Sequence, residues 1–326
     1  MLKAFGVPTI ISAVALVAVW WYLGLTAFFT AVLLVILEVT LSFDNAVVNA
    51  KVLERMTPKW QHRFLTWGIF IAVFLTRAIL PIFIVAASVA LSPWAVGKLA
   101  LFDPAQYGEL LESAKYTIYS FGGIFLTMVS LKYFFDARKD RHWLHWVEKH
   151  LSRWGNIEAI EIALALTSLA LVAMLIPAHQ IEILMAGIVG IVLFIAVQGL
   201  ANSFEMETTG VVASAGFALF VYLNILDAAF SLDSVVGAFA LSTQLPIIIV
   251  GLGIGAYFVR ALTVYMVERG TLGQLIYIEH GAHWAILGLA LAMFASMFVD
   301  VPEPVTGLVG LGFLLVAYIS SVRTAN

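Results

Sequence analysis

The sequence contains no cysteine and little charge: 11% of its 326 residues are Asp, Glu, Lys or Arg, against roughly 25% in an average soluble chain. Without cysteine there is no disulfide, no thiolate metal site and no cysteine nucleophile, so any metal must be held by oxygen or histidine. With so few charges there is too little polar surface to cover a water-soluble fold. No phosphate-binding glycine loop, Ser-His-Asp set or HExxH helix is visible, and the chain is not expected to be an enzyme. The net charge of −3 gives no sign of a nucleic-acid partner. Alternating polar and apolar strands are also missing, which excludes a transmembrane β-barrel.

What the chain does have is apolar length. Hydrophobic residues make up 62% and the mean hydropathy is +1.01. They fall into about ten blocks, approximately 8–24, 26–50, 64–91, 116–135, 158–177, 181–200, 211–240, 246–267, 281–299 and 304–322. Each is near the ~20 residues that a helix needs to cross hydrocarbon. The pattern predicts an all-α, polytopic transmembrane bundle forming one domain over 1–326. The first block could pass for a signal peptide, but Trp20, Trp21 and Tyr22 stand where small cleavage-site residues belong, so it reads as an anchor.

Loop charge sets an orientation. With ten spans, twelve of the seventeen basic residues fall on one side: Lys3, Lys51, Arg55, Lys59, Arg63, Arg138, Lys139, Arg141, Lys149, Arg153, Arg269 and Arg323. The positive-inside rule makes that side, and both termini, cytoplasmic in a cell membrane, with the bacterial inner membrane the best fit. The longest loops are 92–115, and 136–157 with its Arg138-Lys139-Asp140-Arg141 run and aromatic residues. The second either lies on anionic headgroups or is simply solvated.

An acidic motif occurs twice. Residues 38–50 carry Glu38, Ser42, Asp44 and Asn45; residues 227–239 carry Asp227, Ser231, Asp233 and Ser234 at the same spacing, without a gap. The following spans repeat too, since Gly68 and Arg77 are nine apart and so are Gly251 and Arg260. An offset of five spans makes the copies antiparallel, the sign of an inverted-topology repeat with its site at the midplane. The first repeat runs about 26–137 and the second about 211–299, with linking spans at 158–200 and a final span at 304–322.

Charge inside hydrocarbon costs at least ~2.5–3.5 kcal/mol per group on insertion scales, so four acids in two spans need compensation. A cation supplies it. Glu38, Ser42 and Asn45 share a helix face, with Asp44 about 100° away and able to join if the helix loosens. With Asp227, Ser231, Asp233 and Ser234 they offer oxygen ligands only, which suit Mn²⁺, Ca²⁺ or Mg²⁺ better than Zn²⁺ or Cu⁺. Crowding of four acids would raise some of their proton affinities and make proton exchange for metal plausible. Arg77 and Arg260 are candidate counter-charges. The alternative is that they pair permanently with the acids as internal glue.

Lesser candidates lie elsewhere. Glu279 and His283, one helical turn apart at the start of the ninth block, are either vestibule metal ligands or solvated interface residues. Glu158, Glu161, Glu182, Glu205 and Glu207 read as interface or loop residues, and Lys132 as a snorkelling one.

Through Glu38…Ser42-Phe-Asp44-Asn45-Ala-Val-Val and Asp227…Ser231-Leu-Asp233-Ser234-Val-Val, the sequence resembles the TerC family, named for tellurite resistance and including the Alx proteins. Glu279-His-Gly-Ala-His283 and Lys132 fit the same resemblance, which covers most of 26–299. It implies two three-helix repeats of the LysE-type transporter superfamily and export of Mn²⁺, or for some members Ca²⁺. The ligands it implies are Glu38, Asp44, Asn45, Asp227, Asp233 and Ser234. The chain departs from that pattern by extra spans at the first helix, at 158–200 and at the last helix, which leaves partners and oligomeric state open. The reading is therefore a secondary transporter exporting a divalent metal, most simply Mn²⁺, with the bilayer as partner. The alternatives are a metal-binding membrane scaffold that delivers metal to exported proteins, a Ca²⁺ transporter, and, more remotely, a metallohydrolase.

Overall fold

The structure is a computed structural model that describes residues 2–136, 139, 141–157, 159–206, 212–242, 244–270, 275–299 and 301–325. Arg138 and Asp140 of the basic run, Glu158 and Glu207 lie outside these, as does the side chain of Glu205. The described chain is helical throughout and contains no strand. In order it forms α1 (Leu2–Leu41), α2 (Phe43–Leu53), α3 (Pro58–Phe70), a π-helical segment (Ile71–Ile79), α4 (Leu80–Ser88), α5 (Pro93–Phe102), α6 (Pro104–Ser113) and α7 (Lys115–Phe134). There follow α8 (His145–Trp154), α9 (Ile160–Leu175), a 3₁₀ turn (Pro177–His179), α10 (Gln180–Met206), α11 (Val212–Leu241), α12 (Leu245–Arg269), α13 (Ile278–Ala295) and α14 (Glu303–Ala325).

Helix starts follow local chemistry. Pro58, Pro93 and Pro104 stand where a missing N–H costs nothing. Ser92 and Asp103 accept from the backbone N–H of Ala95 and Gln106, both at 3.2 Å, which caps α5 and α6. The segment 92–115, expected as a loop, is thus largely a pair of short helices. At the other end of α12, Gly270 takes φ 60°, a left-handed stop that suits glycine.

Among the described residues, seven helical runs are long and apolar enough to cross a membrane: Phe5–Leu41, Pro58–Ser88, Pro177–Gly199, Gly216–Val236, Leu245–Arg269, Ile278–Ala295 and Gly307–Thr324. Three of the ten expected blocks stand apart from that set for identifiable reasons. Blocks 8–24 and 26–50 meet in α1 without a loop; the division is a backbone break at Gly24, whose φ of 88° and ψ of 178° interrupt the helix. The apolar helix α9 is short, at 16 residues. Helix α7 has 20 residues but carries Lys115, Thr117, Ser120, Thr127, Ser130 and Lys132, and its burial inside the protein replaces contact with lipid.

The packing places α7 at the centre, against α10 and α13, while α1 runs along α12 and α13 lies beside α14. Short α2 is held between α12 and α13. Phe125, Met128, Ile286 and Met293 are closed off in the shared core. Large apolar side chains of α1 point outward, with Ile10 and Val14 each 66% exposed. In water such a surface would aggregate; hydrocarbon is the solvent it fits. The fold is a multi-pass helical membrane bundle.

Candidate metal centre

The first copy of the acidic motif sits on a broken helix. Ser42 has φ −95° and ψ 12°, outside the helical range, and separates α1 from α2. Two backbone bonds bridge the break: Ser42 N–H donates to the Glu38 carbonyl at 2.9 Å and Ala46 N–H to the Ser42 carbonyl at 3.1 Å. The helix is thus loosened immediately before Asp44. The break leaves Asp44 in the first turn of α2, where the helix dipole favours an anion. Its Oδ1 accepts from the Asn45 backbone N–H at 2.8 Å. The second copy lies within the continuous helix α11.

Each motif's leading acid is buried and clasped by the arginine of the next span. Glu38, with no exposed surface, pairs with Arg77 and accepts from Ser42 Oγ at 2.8 Å. Arg77 also donates to the carbonyl of Ala72 at 2.7 Å, a five-residue reach that matches the wide turns of the π-helical segment. Asp227 pairs with Arg260. Arg260 donates further to the Phe64 carbonyl at 3.1 Å and to Asn224 Oδ1 at 3.4 Å, with its guanidinium 4.1 Å from the centre of the Phe64 ring. A Cβ at Gly68 would overlap this guanidinium, and one at Gly255 would press on the Glu38 side chain at 2.5 Å, so both approaches require glycine.

The copies also touch directly. Asn45 Nδ2 and Asn49 Nδ2 donate to Asp227 Oδ1 at 2.7 and 2.8 Å. Among the described residues, Glu38 Oε2, Asn45 Oδ1 and Asn49 Oδ1 meet no donor. Buried acceptors are rarely left so. Ser234 Oγ donates to its own helix at the Ser231 carbonyl, at 3.1 Å, and both serines and Asp233 are buried. Asp44 faces α14, its Oδ2 4.0 Å from where a Gly310 Cβ would stand. Among the described residues no three His, Asp or Glu side chains are grouped to hold a metal. In this conformation the arginines occupy Glu38 and Asp227.

Glu279 and His283 do not share a ligand position. The Glu279 carboxylate lies 3.6 Å from Lys51 Nζ, while His283 Nδ1 meets the Glu279 carbonyl at 2.8 Å and its ring stacks on Tyr133 at 3.6 Å. Its neighbour His280 bonds instead to Glu148 of α8 at 2.7 Å. Lys51, Lys139, Arg141, Glu279 and His280 line one cavity of about 450 Å³ at this end of the bundle. Lys132 reaches Glu161 at 3.2 Å, and Glu182 accepts from Thr117 at 2.7 Å.

Sequence reasoning missed Asn49, Asn224 and Glu148. Asn49 follows Asn45 by one helical turn and Asn224 precedes Asp227 by three residues, so helical spacing from the motif could have found both. Nothing local marks Glu148.

The fold and these buried pairs define a polytopic membrane protein with a polar, ion-paired interior. Residues 43–326 match a family described as a protein of unknown function, DUF475, and the chain belongs to it. No curated protein and no solved structure matches the chain.

Proposed function

We propose that the chain is a secondary transporter of a divalent cation, Mn²⁺ before Ca²⁺ or Mg²⁺, exporting it from the cytoplasm by alternating access. The observation that carries this reading is the pair of equivalent buried clasps, Glu38–Arg77 and Asp227–Arg260, joined through Asn45 and Asn49 and bordered by acceptor oxygens without donors. The arginines stand in for the cargo: each supplies one positive charge to an acid that a divalent ion would bind. When the ion enters, the arginines withdraw and Glu38, Asp44, Asn45, Asp227, Asp233 and Ser234 supply hard oxygen ligands, with Ser42 and Ser231 as supporting groups.

An inverted repeat underlies this scheme. The clasps fall at positions that correspond in the two motif copies, each joining a motif helix to the arginine of the next span. The scheme takes ten spans, with the two parts of α1 as separate spans and α7 and α9 added to the seven long apolar runs, and takes the basic side that would hold both termini as cytoplasmic. A TerC-like transporter of the LysE type fits this architecture. Protons released or taken up by the crowded acids would couple to the metal.

Pairing of Glu38 and Asp227 with arginine also favours a second reading, a metal-binding or purely ion-paired scaffold with no transport of its own. Proteoliposomes enclosing a Mn²⁺ reporter separate the two. Wild-type protein should carry Mn²⁺ and Asp44→Asn or Asp233→Asn should abolish the flux. Metal-dependent stabilisation without flux in the wild type would overturn the transport reading, and wild-type flux in both variants would overturn the acidic motifs as its site.

A further inference from the structure

Helix α8, between the end of α7 and the start of α9, is divided by exposure into two unlike faces. Its inward stripe is Val147, Glu148, Leu151 and Ser152, of which Glu148 is fully buried. Its outward stripe is Trp146, Lys149, His150, Arg153 and Trp154, spaced i, i+3, i+4, i+7, i+8 and wholly exposed, with Trp146 at 78% and Trp154 at 52%. The only acid of the helix is turned away from the basic side.

The inward contacts are specific. Glu148 pairs with His280 Nδ1 at 2.7 Å and accepts from Trp284 Nε1 at 2.9 Å and from the backbone N–H of Trp143 at 3.1 Å. These fix α8 to the first turns of α13, which packs on motif helix α2. Outward orientation is thereby set. Phe134 ends α7 and Ile160 opens the apolar helix α9, so α8 stands between two helices of the bundle. A pair of tryptophans two turns apart with cations between them and no acid is the pattern of an interfacial helix.

We infer that the outward face of α8 is a docking surface for anionic phospholipid headgroups, with Lys149 and Arg153 as the charge contacts and Trp146 and Trp154 as interfacial anchors. Charge complementarity and the paired exposed tryptophans commit the face to lipid. Through Glu148, headgroup binding would hold α13 in place beside the acidic motif. The inference rests on the membrane fold alone and stands or falls independently of cation transport.

The absence of native cysteine makes a direct test available. His150→Cys, labelled with an environment-sensitive fluorophore, is compared in nanodiscs of phosphatidylcholine and of phosphatidylcholine with phosphatidylglycerol, using the neutral quencher acrylamide. Anionic lipid should shift the emission to the blue and lower quenching several-fold, high salt should reverse both, and adding Lys149→Glu and Arg153→Glu should erase the lipid dependence. These outer-face changes should leave thermal unfolding in detergent unaltered. Equal emission and quenching in both nanodiscs, or a lipid dependence that survives the charge reversals, would overturn the inference.

Discussion

The side-chain amide of Asn45 donates to Asp227 Oδ1 at 2.7 Å, so the first copy of the acidic motif closes directly on the leading acid of the second, 182 residues along the chain. Asp227 receives Asn49 and Arg260 as well, whereas Glu38 receives Ser42 and Arg77 and keeps Oε2 without a donor. Like motifs therefore have unequal surroundings.

Neutralising one member of the Asp227–Arg260 pair should be far worse than neutralising both. Arg260→Met or Asp227→Asn leaves a buried charge unmatched and should cost ~3–5 kcal/mol, while the double variant should cost clearly less than the sum. A double-mutant cycle of unfolding in detergent measures the coupling. Additive costs would mean that the two residues do not act as a pair.

The asparagines should be individually modest and jointly larger. Asn45→Ala removes one of three donors to Asp227 and should cost ~0.5–1.5 kcal/mol. With Asn49→Ala added, Asp227 loses both side-chain amides that share Oδ1. The combined loss should exceed the sum of the single losses, read by the same unfolding assay.

Gly68→Ala tests the space beside Arg260. The new methyl would overlap the guanidinium and should cost ~1–3 kcal/mol as the clasp on Asp227 is forced to shift. At Gly312 a Cβ meets nothing within 4 Å, so Gly312→Ala should be neutral or slightly stabilising by helix propensity. Comparing melting temperatures of the two separates local crowding from a general glycine effect.

Docking of α8 should be acid-sensitive. Burial works against the Glu148 charge, yet the hydrogen bonds from His280 and Trp284 and the positive groups nearby hold its carboxyl down at about 2, below the usual 4.5. A lowered carboxyl contributes stability above pH 4.5 that is lost as the pH falls toward about 2. Protection factors of the α8 amides, exchange rates corrected for the intrinsic pH dependence, should fall across that window in the wild type. Glu148→Gln should show lowered protection at neutral pH and little change on acidification.

Apolar length made the bundle readable from sequence, because hydrocarbon imposes one helix period and one minimum length on every span. Within it, the S-x-D spacing located the acids and the nine-residue Gly–Arg spacing located their arginine partners, since both are periodic along single helices. What escaped was set by backbone strain or by distant contacts. The left-handed φ of Gly24 bends a helix without a loop, and the break at Ser42 replaces a smooth span with two segments. The 92–115 segment looked like a loop because its composition is weakly apolar, while its structure depends on two proline starts and two side-chain caps. Glu148 is 132 residues from His280, and no local pattern announces that contact.

The central claim is that the two arginines hold places a cation takes at one midplane site. An anomalous-scattering map at the manganese edge, from crystals saturated with Mn²⁺, addresses it directly. The account predicts one peak between α2 and α11, ligated by Asp44, Asp227 and Asp233 with Asn45 among the neighbours, and at least one of Arg77 and Arg260 withdrawn from its acid. Both clasps intact, with no peak between them at saturating Mn²⁺, would contradict it.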